Sequence, residues 1–311
     1  MLKILIKCTV LVGFLFAISY SAYAQKAIYV YKISNDSTQN FYTKRIPKVP
    51  VRGLLVINLR SLTDSIKTYA LRNGIILMSI VPLKPDSALQ YFTDDVVLKR
   101  MDDMITEVVK AYHISPDKVI IGGMSVAGTG SVRYVEYCMT GHSMGHIKPI
   151  GLFAVDSPLD YERFYKASTN AVKRNFNNEA VAEGKEVIKL FKLRFGGSPN
   201  DKLKIYQTLS PFSYSAINGG NAKLLNDLSV RLYIEPDINW WIENRRRDYY
   251  DFNAIDNAAL INQLKLNGNS HAELIVTSDK GYQDDGTRHP HSWSILDEKN
   301  LIDWCFTLFN R

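Results

Sequence analysis

The sequence predicts an α/β protein in three layers: a mostly parallel sheet, helices on both faces, and a helical cap inserted between two core strands. Three observations carry this. Short, almost continuous apolar runs alternate with helical segments, the pattern of strands covered on both faces and joined as βαβ units. The rhythm lapses once, over residues 159–225. No long Gly/Ser/Pro linker interrupts the chain, so one large domain with an insertion fits its length better than two independent ones.

Residues 26–33 are rich in β-branched and aromatic side chains and predict an early strand. Gly53 to Asn58 (Gly-Leu-Leu-Val-Ile-Asn) is the first buried run. Residues 61–73 have helical spacing, with Leu62, Ile66 and Tyr69 apolar and Gly74 as the stop. A second buried run covers 75–81. Residues 94–112 form a long amphipathic helix with Val97, Met101, Met104, Ile105 and Val108 on one face. A third strand at 118–121, a helix at 126–138 and a fourth strand at 151–155 follow. Segment 159–225 is polar and helix-prone, with Asn/Gly-rich joints at 175–178 and 196–200, and reads as the cap. Strands resume at 230–234 and 272–277, and a helix over 297–309 closes the chain.

The first residues predict export. Lys3 and Lys7 precede an apolar stretch from Cys8 to Tyr20, and Ala22-Tyr23-Ala24 supplies a small-x-small cleavage site. Residues 1–24 are then a signal peptide and 25–311 the mature domain, periplasmic or secreted, with no stable membrane span after cleavage. The leader takes two lysines and no acidic residue, so the formal charge falls from +7 to +5. That is too mild for a nucleic-acid partner, and no basic stretch is interleaved with aromatics. Arg245-Arg246-Arg247, the longest run of like charge, reads as a solvated helix face. Cys138 and Cys305 are the mature cysteines, and their spacing does not say whether they pair.

Residues 119–130 (Val-Ile-Ile-Gly-Gly-Met-Ser-Val-Ala-Gly-Thr-Gly) carry the chemistry. A buried strand runs into a turn bearing Ser125, and the turn runs straight into a helix. Such a turn is strained and tolerates only small neighbours, here Gly123 two residues before the serine and Ala127 two after. It would lift the hydroxyl above the sheet and aim the Val126 N–H at a developing oxyanion. The stretch resembles the nucleophile elbow of the α/β-hydrolase superfamily of esterases, lipases and serine peptidases. It departs from G-x-S-x-G in having Ala127 in place of the second glycine, which is displaced to Gly128.

That resemblance implies a histidine base after the last core strand and an acid between serine and base in chain order. Two histidines compete on the loop after 272–277. His291, in His-Ser-Trp before the closing helix, is the first choice and His289 the second. The acid is expected to be Asp237, after strand 230–234, with Glu235 and Asp156 as alternatives. The second oxyanion donor is expected in the loop after the first buried strand, at Arg60-Ser61, with Ser61 chosen. No H-E-x-x-H or phosphate-cradling glycine motif occurs, so neither metal nor cofactor is expected.

The expectation is therefore an exported serine hydrolase acting on a carboxylic ester, small or polymer-linked, through Ser125, His291 and Asp237. A serine peptidase or amidase of the same fold is one alternative, and a non-catalytic exported binding protein is another. Trp240-Trp241 either lines the substrate cleft or is a buried helix start.

Overall fold

Alternation of apolar side chains along buried strands divides the protein into two cores, one on each side of a single sheet. The computed structural model describes residues 26–33 and 36–311; the leader expected at 1–24 lies outside the described residues. The strands are β1 (Ile28–Tyr31), β2 (Phe41–Arg45), β3 (Gly53–Asn58), β4 (Ile75–Val81), β5 (Val119–Met124), β6 (Gly151–Val155), β7 (Ser229–Ile234) and β8 (Ala272–Val276). They lie in the order β1-β2-β4-β3-β5-β6-β7-β8. From β4 to β8 every pair is parallel, while β1, β2 and β4 pair antiparallel.

The helices are α1 (Asp64–Arg72), α2 (Asp95–Ala111), α3 (Ser125–Met139), α4 (Tyr161–Arg174), α5 (Asn178–Phe195), α6 (Pro199–Leu209), α7 (Ile238–Arg245), α8 (Asn253–Leu266) and α9 (Glu298–Phe309). Leu54 and Val56 of β3 face the core beneath α2, α3 and α8, with Val97, Tyr134 and Leu260. Leu55 and Ile57 face the opposite core, with Ala70 of α1 and Leu301 of α9. The two-residue period of the strand assigns each side chain to its layer. Cys138 belongs to the first core and Cys305 to the second, and both are free thiols.

Three helices, α4 to α6, occupy most of the stretch between β6 and β7. Their aromatic residues, among them Phe92's partners Tyr161, Phe164 and Phe191, form a cluster of their own. Ala222 and Leu225, at the end of the expected cap, pack instead into the sheet's own core. Among the described residues no helix is long and apolar enough to cross a membrane.

Two elements escaped the sequence reading. In β2 only Tyr42 is buried, between residues that are half exposed, so no apolar run marks it. The buried side of α8 includes Asp256 and Asn257, which blur its period. What matters for function is polarity of another kind. In a parallel sheet every strand ends on the same edge, so the loops after β3, β5, β6, β7 and β8 gather there.

Candidate active site

Ser125 begins α3 directly after β5, with a left-handed φ of 56° that a non-glycine residue adopts only when its surroundings impose it. The surroundings are tight. A Cβ on Gly123 would lie 3.0 Å from the Ala127 backbone, and one on Gly128 would collide with the Ser157 hydroxyl. The displaced glycine is thus the one that the helix needs, while Ala127 buries its methyl at 3% exposure. The Ala127 carbonyl accepts from Asn58 Nδ2 at 3.0 Å and Ser131 Oγ at 2.9 Å, and Tyr91 donates to Asn58 Oδ1 at 2.6 Å. These bonds pin the elbow to β3.

His291 and Asp156 meet at the same edge. Nδ1 of His291 lies 2.6 Å from Oδ2 of Asp156. The carboxylate is 6% exposed and follows β6 immediately, also at a left-handed φ of 43°. Its backbone is fixed on both sides: the Asp156 N–H donates to the Tyr233 carbonyl at 2.8 Å, and Asn253 Nδ2 donates to the Asp156 carbonyl at 3.0 Å. With Nδ1 engaged, Nε2 is the nitrogen left for proton transfer. Ser125, Val126 and His291 line one cleft of about 290 Å³. Among the described residues the Ser125 hydroxyl makes no hydrogen bond, a contact that commonly tightens only around substrate.

Asp237, the acid expected from the sequence, is not joined to His291. It caps α7 by accepting from the Trp240 N–H at 3.0 Å, and it pairs with Arg288 at 2.7 Å. Both of its oxygens are thus engaged, one at the start of α7 and the other at Arg288 on the root of the histidine loop, and neither is joined to the imidazole. Glu235 does the same work: it is buried, accepts from Thr277 Oγ1 at 2.8 Å, Lys280 N–H at 2.9 Å and Gly281 N–H at 3.0 Å, and pairs with Arg288 at 2.7 Å.

His289 packs over Trp240, with ring centroids 4.5 Å apart, and its Nδ1 accepts from the His291 N–H at 3.2 Å. Burial, then the neighbouring His291 and Arg245, lower its pKa to about 4, so it stays neutral near pH 7. Ser61 opens onto a different cleft, beside Tyr29, Thr43 and Lys67. The reason is local: Ser79 Oγ donates to the Arg60 carbonyl, tying this loop to β4. Arg60 itself reaches a second cleft, shared with Met124, His291 and Trp293.

The walls of the Ser125 cleft come from two places. Phe164, Glu179, Ala180 and Glu183 descend from α4 and α5, and Trp241, Arg245, Arg247 and Phe252 rise after Asp237. The arginine run is therefore not a solvated face: the Arg245 and Arg247 side chains are 17% and 15% exposed. A run of like charge in sequence does not reveal that two of its members fold back over tryptophan rings.

No protein-family model matches the sequence, and no curated protein matches it. Solved structures do. The chain is similar to the hormone-sensitive-lipase homologue EstE7 from a metagenome library, with a TM-score of 0.53, 14% identity, and coverage of 93% of this chain and 88% of that one. A hormone-sensitive lipase from a metagenome library aligns at 0.51 and 13%, covering 87% and 84%. Carboxyl esterase 2 of the mycorrhizal fungus Tuber melanosporum aligns at 0.52 and 11%, covering 87% and 81%. Strand order, elbow and these likenesses agree: the chain has the α/β-hydrolase fold.

Proposed function

We propose that the protein is a serine hydrolase that cleaves a carboxylic ester through an acyl-enzyme on Ser125. The observation that carries the reading is the 2.6 Å contact between His291 Nδ1 and Asp156, beside a serine held at a left-handed φ of 56°. A serine hydroxyl is a weak nucleophile until a base takes its proton, and an imidazole fixed at Nδ1 presents Nε2 for that purpose.

In the proposed reaction Ser125 Oγ attacks the ester carbonyl carbon as its proton passes to His291 Nε2. Charge develops on the carbonyl oxygen, where the Val126 N–H at the start of α3 donates to it. Collapse expels the alcohol, which takes the proton from His291 and leaves the acyl group on Ser125. Water then enters and attacks the acyl carbon as its proton passes to the same nitrogen; the bond to Ser125 Oγ breaks, the proton returns from His291 to that oxygen, and the carboxylic acid leaves. Asp156 keeps the imidazole in one tautomer and offsets its charge while it holds the extra proton. The esterase names of the structural neighbours favour an ester over an amide.

A fluorophosphonate probe tests this. Wild-type protein should be labelled, and Ser125→Ala should not be. A folded wild type that resists labelling would overturn the reading and leave a binding protein on a hydrolase scaffold. A series of p-nitrophenyl esters beside peptide p-nitroanilides separates esterase from peptidase, with turnover expected on the esters. Export is proposed on the pattern of residues 1–24 alone, and cell fractionation with N-terminal sequencing should recover a chain beginning at Gln25.

A further inference from the structure

Two guanidinium groups stand in the Ser125 cleft without a role in the proposed chemistry. Arg245 and Arg247 both line it, and both are held on aromatic rings: Arg245 over Trp240 at 6.0 Å and Arg247 over Trp241 at 5.7 Å. Their carboxylate partners are held much less firmly. Arg245, 17% exposed, faces Glu179, which is 83% exposed, at 3.1 Å. Arg247, 15% exposed, faces Glu183, which is 50% exposed, at 3.4 Å. Among the described residues, Nε of Arg247 is buried and has no hydrogen-bond partner.

This asymmetry has a physical consequence. The cations are fixed and partly dehydrated, whereas the anions sit at the rim, where water screens them and each pair contributes little. A guest carboxylate entering the cleft can exchange with Glu179 or Glu183, which return to water at small cost. It would meet planar donors already fixed in place on tryptophan, the geometry that favours carboxylate recognition. Val126, Phe164 and Phe252 add apolar surface to the same cleft, beside Asn253 and His289, and suit a short carbon chain between the charge and the scissile bond.

We propose that Arg245 and Arg247 select an ester that carries a carboxylate, a few carbons from the bond that Ser125 cleaves. The proposal rests on the serine-hydrolase reading and narrows its substrate. The charge can sit on the acid side of the ester, as in the half-ester of a dicarboxylic acid, or on the alcohol side, as in the ester of a hydroxy acid.

Matched pairs of substrates distinguish these sources and hold shape constant: monomethyl adipate against methyl hexanoate, and the acetyl ester of 4-hydroxybutanoate against butyl acetate. For wild-type protein kcat/KM should favour the charged member of at least one pair by about tenfold or more, as expected for a charge-assisted hydrogen bond. Because the readout is a ratio within one protein, partial misfolding of a variant does not disturb it. The ratio should fall toward one in Arg245→Gln and Arg247→Gln, rise in Glu179→Gln, where the competing carboxylate is gone, and shrink as sodium chloride is added. Turnover of neutral esters with a charged-to-neutral ratio at or below one in both pairs overturns the proposal and leaves the esterase reading intact. A ratio unmoved by the arginine substitutions overturns it as well. A protein that neither hydrolyses neutral esters nor takes the fluorophosphonate label would remove both.

Discussion

His291 and Asp156, 135 positions apart in the chain, meet with Nδ1 and Oδ2 at 2.6 Å. The contact is possible because β6 lies next to β5 in the sheet, so the residue after β6 stands beside the elbow. Leu59, Ser125 and Asp156 each follow a strand directly, and each has a left-handed φ, of 58°, 56° and 43°. Three non-glycine residues strained in the same way, at the ends of the adjacent strands β3, β5 and β6, mark the edge where the sheet turns its loops upward.

The first prediction separates the two candidate acids. Asp156→Asn should lower kcat on a p-nitrophenyl ester by about 10³- to 10⁴-fold, because an amide no longer holds the Nδ1-protonated tautomer or offsets the imidazolium. Asp237→Asn should keep the chemistry within about tenfold, since it weakens an ion pair, keeps an oxygen that caps α7, and leaves the partner of His291 in place. A larger loss of kcat in the Asp237 variant than in the Asp156 variant would reverse the assignment.

Glu235 holds the root of the histidine loop with three hydrogen bonds and the Arg288 pair. Glu235→Gln should leave Arg288 short of its buried partner and cost about 3 kcal/mol of folding stability. A chemical denaturation curve checks this. Activity should drop as well, as the loop carrying His291 loosens, so kcat and the denaturation midpoint should fall together. A variant as stable as the wild type would show that Asp237 alone suffices for Arg288.

Much of this was legible before the fold was known. β3, β4, β5 and β6 announce themselves as buried apolar runs, and Gly123 with Ser125 announces the elbow between strand and helix. That His291 lies on the loop between the last strand and the closing helix, at the edge where Ser125 sits, was readable as well. Which carboxylate meets it was not, because Asp156, Glu235 and Asp237 all follow core strands, and chain order alone does not say which of them the histidine loop folds against. The cleft that Ser61 opens onto was not readable either: the loop after β3 is tied to β4 through Ser79 and Arg60, a contact that no motif encodes. The burial of Arg245 and Arg247 depends on Trp240 and Trp241 folding under them, which no spacing rule encodes.

The departure from the usual elbow pentapeptide can be tested directly. Gly128→Ala places a methyl group into the Ser157 hydroxyl and the Gly123 backbone. It should cost about 1–3 kcal/mol through overpacking and lower activity by shifting the elbow. Ala127→Gly restores the pentapeptide, yet it should destabilise by about 1 kcal/mol, because a buried methyl and a good helix former are lost together. Denaturation and ester hydrolysis measured on both variants check the pair, and a more active Ala127→Gly protein would show that Ala127 restrains catalysis.

The last prediction concerns pH. Asp160 caps α4 through the Arg163 N–H at 3.1 Å and accepts from the Tyr214 N–H at 2.9 Å. Burial first, and then the nearby Asp256 carboxylate, raise its pKa to about 6. An acid whose pKa is higher in the folded than in the unfolded state binds more protons when folded over the interval between the two values. Its contribution is complete below about pH 4 and is lost as pH rises through about 6, a change of about 3 kcal/mol at most. Asparagine carries no charge to desolvate; its single carbonyl oxygen keeps one of the two N–H groups, and losing the other costs the same at every pH. The stability of Asp160→Asn relative to wild type should therefore climb between pH 4 and pH 6 and level off above that. Urea denaturation at pH 4, 5, 6 and 7 measures the difference. A flat difference across that range would mean that Arg163, whose guanidinium binds Asp256 directly, already neutralises the acidic pair.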